Sequence, residues 1–188
     1  MNINRREAVQ RVAALMGGMI SAPAMAGIMG QKTNQGTFVS FSTEQIALIV
    51  AIADVIIPST KTPGAQAAGA ERYILNVVQD CYTKAEQDAF YAGLVKIDAD
   101  CKSKTGKGFV QATDVQKKEA LTACMLEGDV ARKAKKGVTP FFFMIKELST
   151  VGYFTSKIGA TEALEYLPIP GKFDGCMPLD PKQKTWAL

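Results

Sequence analysis

From Leu167 onward the chain carries Pro168, Pro170, Gly171, Gly175, Pro178 and Pro181. A segment broken this often forms neither a helix nor a central strand, because proline lacks the N–H that both ladders use. Yet Tyr166 just before it and Ile169, Phe173, Met177, Leu179 and Trp186 within it favour burial. An extended apolar arm must therefore lie on a surface, its own domain's or a partner's. The arm follows an aromatic helix, for which the sequence predicts Thr139 as cap and Pro140 in the first turn, where a missing N–H costs nothing.

The rest of the chain predicts helices. Thr43 to Ile57 is opened by Ser42 with Gln45 as its capping-box partner, and Ile46, Ile49, Val50, Ala53, Ile56 and Ile57 recur at helical spacing. Pro58 stops it, and its apolar faces make it the expected central buried helix. After the turn-rich loop Pro58 to Gly64 a second helix is expected from Ala65 or Ala67 to Cys81, with Tyr73, Ile74, Val77 and Val78 inward. A third starts at the Thr83/Glu86 box and runs to about Lys102, its stripe being Phe90, Leu94, Ile97 and Cys101. A fourth starts at the Thr113/Gln116 box and runs to about Lys135, with Leu121, Cys124, Met125 and Val130 toward the core. The basic run Arg132, Lys133, Lys135 and Lys136 reads as its solvated end, which suits the helix dipole. The aromatic helix spans Pro140 to about Tyr153, and a shorter helix spans Gly159 to Tyr166. No strand is predicted beyond a brief pairing at Thr37 to Phe41. The expected fold is all-α, a small bundle of about five to six helices (42–188) with a long Pro/Gly-rich C-terminal arm (166–188).

Residues 1–26 read as an export signal. Arg5 and Arg6 precede an apolar run from Val12 to Ile20, and Ala22 to Ala26 offer small residues for cleavage. The paired arginines and the modest, glycine-containing core resemble a twin-arginine signal, although Ala8 and Gln10 stand where a bulky apolar residue and a lysine are usual. An ordinary secretory signal or a frayed N-terminal helix is the plainer alternative. Residues 27–41 form a linker.

The sequence contains no histidine. That removes Ser–His and Cys–His nucleophile pairs, histidine bases, and histidine-ligated haem or metal. There is also no G-x-G-x-x-G after a strand and no P-loop. Setting aside the three arginines and one glutamate of residues 1–26 lowers the net charge from +4 to +2. Such balance does not suit a nucleic-acid binder. Asp54, on the apolar first helix, is either a base with a raised pKa or, more simply, a cap or a partner for Arg72. The four cysteines, Cys81, Cys101, Cys124 and Cys176, lack metal-ligand spacing. An exported chain permits disulfides among Cys81, Cys124 and Cys176, whereas Cys81 and Cys101 lie about 25–30 Å apart along one helix. Free buried thiols at Cys101 and Cys124 fit equally well. The run Phe141 to Phe143 reads as core and interface packing.

Several runs resemble the gluconate 2-dehydrogenase subunit 3 family when taken together and in order. They are the Arg5-Arg6 signal; Ala53-Asp54-Val55-Ile56-Ile57-Pro58; Thr62-Pro63-Gly64-Ala65; Phe142 to Ser156 ending in Gly152-Tyr153-Phe154-Thr155-Ser156; Ile158-Gly159-Ala160-Thr161; and Tyr166, Pro168, Pro170-Gly171 and Phe173-Asp174-Gly175-Cys176. The resemblance implies a non-catalytic small subunit. Its partner would be an FAD-dependent large subunit of the glucose-methanol-choline class, with a cytochrome c subunit further along the electron path. It also implies periplasmic location through the twin-arginine translocase. FAD would belong to the partner, with no cofactor or metal in this chain. The expected partner contacts are Tyr153, Phe154, Tyr166, Pro168, Pro170, Phe173 and Trp186. The competing readings are a stand-alone periplasmic helical binding module and an independent enzyme using carboxylates or tyrosines.

Overall fold

The computed structural model describes residues 40–134, 137–169, 171, 175, 176, 178 and 181–187. Six α-helices lie among them: α1 (Thr43–Ile56), α2 (Ala65–Ala68), α3 (Ala70–Asp80), α4 (Lys84–Thr105), α5 (Asp114–Lys133) and α6 (Phe141–Phe154). A 3-10 turn (Phe109–Gln111) joins α4 to α5, and a π-helical turn (Gly159–Ala163) follows α6. The only pairing of β type among the described residues is one parallel bridge between Glu165 and Trp186. The all-α bundle is as expected.

All three predicted capping boxes form: Ser42 with Gln45, Thr83 with Glu86, and Thr113 with Gln116. At the second, the Thr83 hydroxyl donates to the Glu86 carboxylate at 2.7 Å and the Thr83 N–H donates at 2.8 Å. These bonds, the hydroxyl's first, hold the Glu86 carboxyl below its ordinary value of 4.5. A carboxyl lowered by folding contributes stability above its ordinary pKa, and that contribution fades as pH falls toward the folded value. Denaturant titrations from pH 6 to 3 should therefore show a shallower acid loss for Glu86→Gln than for the parent; equal slopes would refute the coupling.

The core stripe of α4 forms as read, with Phe90, Leu94, Ile97 and Cys101 all buried. Several other expectations are corrected. The second helix is not continuous: Gly69 adopts φ +67°, ends α2 and starts α3, a left-handed conformation costly for other residues. Pro140, not Thr139, is the N-cap of α6, in extended conformation and without a side-chain cap. Its carbonyl accepts the N–H groups of Phe143 and Met144. The last short helix stops at Ala163, because Leu164 turns extended (φ −103°, ψ 179°) and Glu165 enters the bridge. Val130 is 72% exposed rather than inward. The inward position is taken by Gly128, two residues earlier and so on the opposite face, which lets the Phe143 ring and Pro140 pack against the α5 backbone.

The most buried helix is α6, not α1: eight of its fourteen residues are buried, against four of fourteen in α1. It touches each of α1 to α5. Two glycines make this possible. A Cβ on Gly93 of α4 would lie 2.1 Å from the Phe141 ring, and one on Gly152 of α6 would lie 3.1 Å from the Ala70 carbonyl of α3. Phe141 is itself buried against Phe90, ring centroids 5.3 Å apart, so it has little room to yield. Gly93→Ala should lower the unfolding free energy by about 2 kcal/mol through overpacking, despite a helix-propensity gain of about 1 kcal/mol. Urea titration checks the sign.

Candidate docking surface

The motif runs singled out in the sequence converge at one end of the bundle. The α1 C-cap, Ile57, accepts the Ala65 N–H at 2.9 Å, and the Ser59 hydroxyl accepts the Gly64 N–H at 2.9 Å. A Cβ on Gly64 would meet Ser59 N at 2.6 Å, so this turn admits only glycine without rearrangement. The Tyr153 hydroxyl, from α6, donates to the Pro63 carbonyl at 2.8 Å. The Tyr153 carbonyl accepts the Ser156 hydroxyl at 2.6 Å, and the Ser156 hydroxyl in turn accepts the Gly159 N–H at 3.0 Å. Gly159 sits so close that a Cβ there would lie 1.9 Å from the Tyr153 carbonyl oxygen. The Ile-Ile-Pro, Thr-Pro-Gly, Gly-Tyr-Phe-Thr-Ser and Ile-Gly-Ala runs thus form one hydrogen-bonded knot at the base of the arm.

Outward from this knot stand large apolar side chains. Ile169 is 81% exposed, Tyr166 56%, Leu167 45%, Trp186 40% and Phe154 38%. Clustered apolar exposure of this kind marks an interaction surface rather than a solvated one. Phe154 packs its ring edge-on against Tyr153, at 5.1 Å between centroids. The predicted contacts therefore divide. Phe154, Tyr166, Pro168 and Trp186 are exposed. Tyr153 is 2% exposed, so the expectation that it touches a partner is corrected: it supports the knot from inside. Arg5, Arg6, Pro170 and Phe173 lie outside the described residues. Sequence reasoning passed over Leu167 as a contact, though it borders Tyr166 and Pro168.

The tail does not run away from the bundle. The Glu165 N–H donates to the Thr185 carbonyl and the Ala187 N–H donates to the Glu165 carbonyl, both at 2.9 Å. The Lys184 ammonium donates to the Glu162 carbonyl at 2.5 Å.

The cysteines form no cross-link among themselves. Cys81, Cys101 and Cys124 are free thiols, the second of the two alternatives the sequence left open, and Cys176 is exposed in a turn. Burial pushes the Cys124 thiol up, away from thiolate chemistry. Beside it the Lys96 ammonium bridges Asp100 at 2.9 Å and Glu127 at 2.5 Å, joining α4 to α5. Those bonds, Glu127's first, hold the Lys96 pKa above its usual range. Asp54 does not meet Arg72, whose guanidinium lies 3.9 Å from Glu71. It lines instead a groove of about 440 Å³ with Val50, Val55, Pro58, Val110 and Lys117. Asp98 accepts the Phe109 N–H at 2.8 Å and holds the 3-10 turn. Lys96 and Asp98 thus have structural partners, and the assembled feature is the apolar surface. Among the described residues, no helix is long and apolar enough to cross a membrane.

One protein-family model, described as Gluconate 2-dehydrogenase subunit 3, matches residues 43–171. Comparison with curated proteins and with solved structures gives no match. The matched span takes in all six helices, the knot and the first part of the arm.

Proposed function

The chain belongs to the gluconate 2-dehydrogenase subunit 3 family, and on that premise we propose that it is the non-catalytic small subunit of a periplasmic FAD-dependent sugar or sugar-acid dehydrogenase of the glucose-methanol-choline type. In this reading it docks on the catalytic flavoprotein, stabilises it, and takes the folded pair across the membrane on its own twin-arginine signal, Arg5 and Arg6. FAD resides in the partner, and a cytochrome c subunit receives the electrons. The observation that supports the reading best is the apolar set Phe154, Tyr166, Leu167, Ile169 and Trp186, held in water at the rim of a rigid knot. Burying that surface against a partner is favourable by roughly 25 cal/mol per Å² before the costs of association.

Co-expression with the flavoprotein tests the proposal. A yellow complex containing both chains should purify from the periplasm. Lysines at both Arg5 and Arg6 should leave the flavoprotein in the cytoplasm. A flavoprotein that is exported, soluble and active without this chain would overturn it. The return of the tail to Glu165 favours a second reading, a stand-alone binding module. That reading instead requires a stable monomer that ignores the flavoprotein.

A further inference from the structure

The arm begins at Glu165 and comes back to Glu165. Its last described residues, Thr185 to Ala187, bracket that one residue by two main-chain hydrogen bonds, and Lys184 adds a third contact to the Glu162 carbonyl. Resting on the docking reading above, we propose that Thr185–Ala187 is a clasp that shuts the arm into a loop before any partner arrives. The arm then docks as a closed loop and not as a free tail that wraps its partner.

Three observations carry this. The closing contacts join the two flanks of the segment that bears Tyr166, Leu167 and Ile169, so the clasp determines where those side chains stand. Closure is local. Glu165, Thr185 and Trp186 are exposed and Ala187 is only half-buried, so the clasp opens without disturbing the helices. The loop is also stiffened for closing: Pro168, Pro178 and Pro181 limit the open states, and Gly171 supplies a turn at φ +70°. Closing a segment of this length costs entropy, and having met that cost before docking lowers what the partner must supply.

Proline scanning of the clasp separates this from a passive tail. Ala187→Pro removes the N–H given to Glu165. Glu165→Pro removes the N–H given to Thr185, and the extended Leu164 before it tolerates a following proline. In the isolated full-length chain, both variants should keep the parent's helical circular dichroism and melting curve. Protease cleavage within 166–184 should quicken by roughly tenfold as the open population rises. Against the purified flavoprotein subunit, both should raise the Kd roughly tenfold. Unchanged cleavage in both variants would overturn the clasp, as would faster cleavage with an unchanged or lower Kd. If the parent chain itself does not bind the flavoprotein, the docking reading fails, and the cleavage rates still decide whether the clasp exists.

Discussion

Tyr153→Ala is expected to cost about 4 kcal/mol of unfolding free energy, measured by urea titration, while Tyr153→Phe should cost about 1 kcal/mol. The ring is 2% exposed, so alanine leaves a void that the surrounding main chain cannot fill. The knot is made of backbone: the Pro63 carbonyl at one end of the side chain, the Gly159 approach at the other. Phenylalanine keeps the volume and loses only the bond to Pro63. Its smaller cost is that of leaving the half-buried Pro63 carbonyl to find water. If both variants cost the same, the hydroxyl rather than the ring holds the knot. An alanine variant as stable as the parent would remove Tyr153 from the core argument altogether.

Ile169→Asp is expected to raise the Kd for the flavoprotein about 100-fold, as a truncated or charged anchor at the centre of an interface does. Ile169 is 81% exposed in the isolated chain, so the same change should alter folding stability by no more than about 0.5 kcal/mol. That contrast is diagnostic, because a fold-supporting residue moves both quantities. Val95→Asp, at a position 64% exposed on α4, serves as the comparison and should leave the Kd unchanged. Fluorescence titration of the flavoprotein with labelled chain reads all three. A Kd that Ile169→Asp leaves untouched would place the docking surface elsewhere on the bundle.

Local chemistry made the helix starts readable. A Ser or Thr followed three residues later by Gln or Glu satisfies orphan N–H groups from both sides, and each of the three such pairs opens a helix. The α4 stripe was equally legible, since Phe90, Leu94, Ile97 and Cys101 keep helical spacing and are buried together. What escaped depended on distant partners. The run from Ala65 to Cys81 looks continuous, and nothing nearby announces that Gly69 turns left-handed. Glu165 and Tyr166 continue a helical pattern until Thr185 and Ala187 claim the backbone of Glu165 for a bridge. Of the candidate docking surface, Tyr166, Pro168 and Trp186 were legible as apolar or proline residues in or beside an arm that could not be a helix, and Phe154 as an aromatic at the end of the helix before it. Tyr153 was misplaced because composition does not reveal that Pro63, ninety positions earlier, holds its hydroxyl.

That separation bears on the order in which the molecule is made. Among the described residues, the helix that touches all the others is the last α-helix, and its tie to Pro63 joins the first third of the described chain to the far end. A nascent chain emerging from the ribosome carries α1 to α4 into solvent well before α6 is available to cover them, and α5 just ahead of it. Until then Phe90 lacks its ring contact with Phe141, the helix of Ile74 lacks its principal partner, and that side of the hydrophobic centre stands open. Completion therefore waits for synthesis to pass residue 154, and a chain stalled near residue 140 should bind the dye ANS and lack fixed tertiary packing. Early release is the hazard such an architecture creates, and a holdase acting in that interval would have those apolar residues as its target.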